Sequence, residues 1–460
     1  MIESRIRRRP WYRSPEASLF LGLWLLYGIL IDNYDLESFN LQQMGVEAVV
    51  ERGHFYVDGS PTPELQPGGD VFEKAGHLYA AKQPGQFMAG ALVYALLHFL
   101  GLSYYKNYLL TAGWVTFFTA ALVTAAAAVC VFRLAQRWNG RISGQLYPLL
   151  CALSYGLASL ALPYAGVAHH DALASAYLLI AFFLIGSFSV GSQPRWPVAP
   201  ALAAGILLGL TLTTSMLPFF MVLVVGGYFL SLRPWRALPY FLAGGLIGLA
   251  PLLIYNTINF GNPLLSANLA GDFSDTFFKF GWQNLAAKAD FYGRMVSQFV
   301  PIVWVGLLGL AFFPRRLRRE QVVLCASLVA LLAYVLNIET IGGCQYGPRY
   351  LLPAMPFAAL GLIGISHLAH TMIRRAALIL AGAAGAFSAL VNLLGGLYGT
   401  MYCDLRRYAF AHYLAAIQHR VFREYPLALW LLIPLGLWCI QLVALVFSPR
   451  PLGGEGQGEG

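Results

Sequence analysis

The chain has 460 residues, 58% of them hydrophobic and 11% charged, with a mean hydropathy of +0.62. A soluble domain carries about a quarter charged residues, so this composition excludes an ordinary soluble protein and points to a polytopic membrane protein. The formal net charge of +9 would suggest a nucleic-acid partner in a soluble protein. Here the basic residues fall in short segments between apolar runs, where they set orientation, and no nucleic-acid partner is expected.

Runs long enough, or nearly so, to cross about 30 Å of hydrocarbon occur at 17–31, 107–132, 144–164, 172–190, 198–215, 217–232, 237–257, 298–313, 321–337, 351–371, 376–398 and 426–447. This predicts about twelve transmembrane helices. The first run, Ala17 to Ile31, lacks a small-residue cleavage site and leads into an acidic loop, so it reads as an uncleaved anchor behind the Arg7-Arg8-Arg9 cluster. A further apolar piece, Gln86 to Leu100, sets the topology of everything after it. If it does not cross, 18 of the 30 basic residues fall in short cytoplasmic segments, and the outer loops hold 12 basic against 16 acidic residues. If it crosses, the densest arginine clusters face outward. Residues 84–102 are therefore read as a re-entrant or surface-lying helix, with Pro84 in its first turn and Gly101 at its end.

The expected fold is all-α and polytopic, with juxtamembrane helices in the first outer loop. Its parts are a cytoplasmic N-terminus (1–16), a first transmembrane helix (17–31), an outer loop with the candidate catalytic residues (32–106), a transmembrane bundle (107–398), a basic outer loop (399–425), a last transmembrane helix (426–447) and a disordered cytoplasmic tail (448–460). In the first outer loop Leu36, Phe39, Val46 and Val50 share one helical face while Glu37, Asn40, Glu47 and Glu51 share another, and Gly53 follows as a stop, which predicts an interfacial helix. Of six cysteines, Cys344 and Cys403 alone fall in outer loops, and pairing between them is compatible with an oxidising exterior.

No Asp, Glu, Lys or Arg lies inside the twelve runs. Ion-coupled transporters use charges at mid-membrane, so the chemistry is sought at the outer surface. Asp32, Asp35 and Glu37 emerge from the first helix, where a carboxylate can take a proton from an attacking hydroxyl, or can simply solvate the loop. Lys82 precedes Gln83-Pro84-Gly85, a turn into a helix whose N-terminal amides favour an anion; the alternative is a lysine snorkelling at the interface. His169, His170 and Asp171 occupy a very short outer turn between apolar helices. They also resemble a partial site for a divalent metal, although two adjacent histidines and an aspartate are cramped for ligation. Arg349 opens a helix behind a glycine-rich loop, where its planar fork suits a phosphate. The loop 399–425 carries Arg406, Arg407, His412, His419, Arg420 and Arg423 among aromatics and is read mostly as an amphipathic helix on anionic headgroups.

In order along the chain, the acidic exit of the first helix, Val46-Glu-Ala-Val-Val-Glu51-Arg-Gly53, Gly76-His-Leu-Tyr79-Ala-Ala-Lys82-Gln-Pro84-Gly85, His170-Asp171, Tyr255-Asn-Thr-Ile-Asn-Phe260-Gly-Asn-Pro263 and Gln345-Tyr-Gly347-Pro-Arg349-Tyr-Leu-Leu-Pro353 resemble the GT-C superfamily of polyprenyl-phosphate-sugar-dependent glycosyltransferases. The resemblance lies with the branch of protein mannosyltransferases and lipid A aminoarabinose transferases, and it covers roughly residues 17–360. It implies inverting transfer from a polyprenyl phosphate sugar to a hydroxyl on a lipid, glycan or protein, at the outer face of a bacterial plasma membrane. By the same resemblance the acid after the first helix is the catalytic base, Lys82 binds the donor phosphate with Arg349, and Asp171, with His169 and His170, lines the acceptor side. Many relatives have adjacent Asp-Glu and Lys-Pro-Pro where this chain has Asp35-Leu-Glu37 and Lys82-Gln-Pro84. Asp35, Asp32 and Glu37 therefore all stay candidates for the base. Two other readings stand beside this one: a lipid-linked glycan ligase or polymerase working through the loop 399–425, and a lipid or glycan transporter without catalysis.

Overall fold

The computed structural model describes residues 14–31, 37–139, 144–189, 197–271, 282–343, 345–399, 408–418 and 424–447. Asp32 and Asp35, the Cys344–Cys403 pair, and Arg406, Arg407, His419, Arg420 and Arg423 of the late loop lie outside them, and Glu37 is described by its backbone alone.

Each of the twelve apolar runs holds helix, although 144–164 is broken into Leu146–Gly156 and Ala161–Ala165, and the stretch Arg349–His367 alternates 3-10 and α-helical turns. Five helical stretches, Tyr108–Asn139, His170–Phe188, Leu238–Phe260, Arg349–His367 and Thr371–Tyr398, are long and apolar enough to cross a membrane. Pro15–Ile29, Leu146–Gly156, Val198–Thr214 and Phe219–Ser231 are shorter apolar helices, and Arg318–Val335 carries Arg318, Arg319 and Glu320 in its first turn. Ile302–Leu310 follows Leu285–Phe299 through a bend of 109° at Pro301, which separates a lengthwise helix from one lying across it. The first helix starts two residues before the apolar run: the Ser14 hydroxyl accepts from Ala17 N at 3.1 Å and Pro15 takes the first helical position. Further along it, Tyr27 is buried with its hydroxyl donating to Gly156 O at 2.8 Å.

The first outer loop holds two findings the sequence did not suggest. The helix Glu37–Glu47 forms, continues as one π-helical turn over Ala48–Arg52 and stops at left-handed Gly53. Its polar face, however, is buried within the protein. Tyr108 and Tyr104 donate to Asn40 and Gln43, and the fully buried Glu47 carboxylate takes Arg52 at 2.9 Å and Ser60 at 3.0 Å. Polar residues spaced for a wet face are here satisfied by tyrosines and a neighbouring loop, a choice that tertiary partners make and periodicity does not.

The second finding is an antiparallel hairpin of Val71–Lys74 and His77–Ala80, pairing Val71 with Ala80 and Lys74 with His77 around Ala75 and Gly76. Both turn residues have positive φ, at 53° and 80°, as a two-residue hairpin turn needs. The Asp58 carboxylate accepts Leu78 N at 2.8 Å and Val57 N donates to Leu78 O at 2.8 Å. The strands are too short to show as period-two alternation against the surrounding aromatics.

Gly85–Phe99 then forms as expected, with Pro84 at its N-cap and Gly101 at φ 89° beyond its end. It leaves Leu92, Leu96, Phe99 and Leu100 exposed, an apolar strip suited to lipid. Its first residue packs on the end of Val198–Thr214: a Cβ at Gly85 would come within 2.3 Å of Thr214 Oγ1. Only glycine permits that approach. Val198–Thr214 is itself pressed against Leu238–Phe260 through Gly205, Gly209, Gly244 and Gly248, the small-residue packing that lets membrane helices meet closely where burial in lipid supplies no drive.

Candidate active site

Four of the residues singled out by sequence meet at one end of the bundle. Lys82, His170, Asp171 and Arg349 line a cleft of about 200 Å³ together with Gln83, Ser215, Ser266, Asn268, Tyr334 and Tyr350. They come from three separate parts of the chain, and each is held there by local structure.

The hairpin delivers Lys82. Ala81 N donates to Asp70 O at 2.8 Å, closing the base of the strand pair, and the Lys82 ammonium then lies 2.9 Å from the Asp70 carboxylate. Burial is the largest single influence and raises the Asp70 carboxyl, but the charge and hydrogen bond of Lys82, with smaller help from Arg349 and His170, together hold it below the usual carboxylate range. Gln83 is tied across the cleft to Asn268 at 3.1 Å.

His170 and Asp171 differ from expectation in one respect. Sequence places them in a turn, whereas the structure folds them into the first turn of the helix His170–Ile185. His169 is the N-cap: Asp171 N donates to its Nδ1 at 3.2 Å. An aspartate in the first turn is also favoured by the helix dipole. The Asp171 carboxylate is 2% exposed. It accepts from Ser215 Oγ at 2.7 Å, lies 3.5 Å from His170 Nε2, and is 4.0 Å from Arg349 Nε.

Arg349 is buried and starts the helical stretch Arg349–His367. Its Nη1 donates to the Gln345 side chain and lies 3.1 Å from His169 Nε2, while its ring neighbour is Tyr350 at 4.9 Å. A neutral imidazole has a single acceptor nitrogen, so His169 takes either Asp171 N or Arg349, and not both. Burial first, then the charges of His170, Arg349 and Lys82, push His169 well below the ordinary histidine range, so the ring is neutral at physiological pH. Among the described residues, Arg349 Nε and His170 Nδ1 are buried without a hydrogen-bond partner. Buried polar atoms left over at a cleft are suited to contact a polar ligand.

His169 itself is fully buried behind the cleft, edge-on to Phe39 at 5.5 Å and Tyr164 at 5.1 Å. Those contacts bear on the acidic exit of the first helix. Phe39 lies two residues after Glu37, and on the other side of the exit Leu30 O is so close to Gly166 that a Cβ there would come within 2.7 Å. Both flanks of the Asp32–Asp35 segment therefore pack against the 164–170 connection.

His169, His170 and Asp171 put their donor atoms within 4.8 Å of one another, but the set does not suit a divalent cation. Arg349 faces both His169 and Asp171, so an ion there would be set against a buried guanidinium. The arrangement of Lys82 and Arg349 with orphaned nitrogens fits an anion better.

Sequence reasoning missed Asp70, Ser215, Gln83 and Asn268. Ser215 ends a polar run, Thr211-Leu-Thr-Thr-Ser215, and that break in an apolar helix is its only sequence signal. Asp70 is one acid among several in its loop, and nothing short of the folded hairpin links it to Lys82.

No family profile matches this sequence, and no curated protein is recognisably similar to it. Solved structures do match in shape. ArnT from Cupriavidus metallidurans, bound to undecaprenyl phosphate, aligns with 94% of this chain and 72% of its own at 14% identity and a TM-score of 0.52. The archaeal oligosaccharyltransferase AglB from Archaeoglobus fulgidus, in complex with an inhibitory peptide and a dolichol-phosphate, aligns with 86% of this chain at 13% identity and a TM-score of 0.51, and the match spans 57% of its length. At these identities the likeness is one of fold, and the chain shares the largely helical fold of these two structures.

Proposed function

We propose that this protein is an inverting membrane glycosyltransferase that moves a sugar from a polyprenyl phosphate to an acceptor hydroxyl at the outer face of the plasma membrane. The observation that carries the reading is the convergence of Lys82, Asp171, His170 and Arg349 on one small cleft. Two neighbours in fold, solved with undecaprenyl phosphate and a dolichol-phosphate respectively, support a polyprenyl phosphate as the ligand.

The acceptor oxygen attacks the anomeric carbon as the bond from that carbon to the phosphate oxygen breaks. The phosphate leaves with the electron pair, and the acceptor proton passes to a carboxylate. Lys82 and Arg349 counter the charge growing on the leaving phosphate. Asp35 is the proposed base, with Asp32 and Glu37 as the other two candidates, and the packing of both flanks of that segment on the 164–170 connection supports the assignment. Asp171, held by Ser215, borders the acceptor side with His170, and His169 backs both.

The deciding experiment is a cryo-electron microscopy map of the protein with a polyprenyl phosphate. Phosphate density between Lys82, Asp171 and Arg349 is expected. Density beneath residues 399–425 instead would overturn the reading in favour of a glycan ligase working through the late basic loop.

A further inference from the structure

The helices that carry the cleft at one end frame a larger cavity at the other. Asp171 borders the cleft and Gly186 the cavity, and fifteen residues of one helical stretch separate them, roughly 22 Å at the α-helical rise. Tyr334 and Arg319 divide the helix Arg318–Val335 in the same way. The cavity measures about 780 Å³.

Its rim is cationic. Arg137, Arg315, Arg316, Arg318 and Arg319 surround it, all exposed. Among the described residues none of the five has a carboxylate within 4.0 Å. The one acid on the cavity wall, Glu320, is buried and accepts from the Tyr228 hydroxyl at 3.0 Å, so five guanidiniums face one carboxylate that is already engaged. Three of the arginines have protein partners: Arg316 donates to Trp138 O at 2.7 Å, Arg318 donates to Gln321 Oε1 at 3.0 Å, and the Arg137 guanidinium stacks over Phe183 at 4.8 Å. The N-terminal amides of Arg318–Val335 open on the same side and add positive potential.

Its floor is apolar. Leu134, Trp138, Phe182 and Leu317 line it, with Trp138 edge-on to Phe182 at 6.2 Å. A row of arginines outside a membrane is explained by orientation alone, but orientation needs no concavity. A free inorganic anion needs cations and gains nothing from an indole and a phenyl ring. A lipid headgroup with the first part of its acyl chains uses both.

We propose that this cavity binds an anionic phospholipid, with the guanidinium forks on the headgroup phosphate and the glycerol and upper chains over Trp138 and Phe182. The site is separate from the cleft, at the opposite end of the same helices, and it does not depend on the glycosyltransferase reading.

The test is native mass spectrometry of the full-length protein released from mixed phosphatidylglycerol and phosphatidylcholine nanodiscs, repeated with inorganic phosphate as competitor. Phosphatidylglycerol should be retained about tenfold over phosphatidylcholine, and the Arg315→Gln/Arg319→Gln double variant should lose about tenfold of that preference. Arg375→Gln, an exposed arginine outside the cavity, should keep it. Because the five arginines are exposed, the double variant should elute and melt like the parent, which separates lost binding from lost folding. Equal retention of both lipids, a preference unchanged in the double variant, or displacement by millimolar inorganic phosphate would each overturn the proposal.

Discussion

At one end of His170–Phe188 and Arg318–Val335 the cations are buried or half-buried, each beside a carboxylate: Lys82 on Asp70 at 2.9 Å, and Arg349 beside Asp171 at 4.0 Å. At the other end five exposed arginines surround an apolar floor with one engaged glutamate. The larger cavity is the less specialised of the two. Its charges are exposed and gathered on a concave wall, whereas the smaller cleft spends desolvation to fix a guanidinium, two imidazoles and a carboxylate within a few ångströms. Buried charges survive only when paired and oriented, and that constraint sets the geometry of the cleft far more tightly than that of the cavity.

The comparison is broken most severely at the base. Asp35→Asn keeps shape and most hydrogen bonding but cannot take a proton, and a transfer assay should show a loss of about 10²-fold or more, the scale of general-base catalysis. Asp32→Asn and Glu37→Gln in the same assay identify which carboxylate acts. If all three variants transfer normally, the first outer loop is not the catalytic centre.

Arg349→Ala tests whether the cleft is held by its charges. It leaves Asp171 in a buried site with Ser215 as its remaining donor, so the thermal midpoint should fall by an amount corresponding to about 3 kcal/mol. An unchanged midpoint would mean that Arg349 does not stabilise Asp171. Lys82→Ala removes a cation proposed to meet the donor phosphate in both ground and transition states. Donor affinity and kcat/KM should drop together, by about 10- to 100-fold, and a loss in kcat alone would argue against a ground-state phosphate contact.

A smaller effect comes from His169. The unfolded chain binds a proton near pH 6.5 that the folded protein rejects, because His169 is buried beside His170, Arg349 and Lys82. The folded pKa lies below the unfolded one, so this contribution is complete above about pH 6.5 and declines as pH falls toward the folded value. Thermal midpoints should drop through that range, and His169→Gln should flatten the curve. The smallest effect sharpens the contrast between the two ends: Arg315→Gln/Arg319→Gln should leave glycosyl transfer within about twofold of the parent in detergent, because roughly 22 Å of helix separates the cavity from the cleft. A large loss there would show that the ends are coupled.

Much of this molecule is legible in its amino acids. Twelve apolar runs became helices because a backbone in hydrocarbon must satisfy its own hydrogen bonds and the helix does so within one segment. The stop at Gly53 and the helix opened by Pro84 and Gly85 follow from local backbone preferences. Lys82, His170, Asp171 and Arg349 stood out because ionisable groups at membrane boundaries are costly and few.

What only the tertiary structure decided is adjacency. Nothing in residues 70–82 announces that a hairpin of two four-residue strands sets Asp70 on Lys82, nor that Ser215, from a helix pressed by glycines onto its neighbour, caps the Asp171 carboxylate. The polar face of Glu37–Glu47 reads as a wet surface until Tyr104, Tyr108 and Ser60 are brought against it. Periodicity reports which face of an element differs from the other. Whether that face meets water, lipid or another buried polar group depends on residues distant in the chain, and the energies that choose among them exist only once the helices are packed.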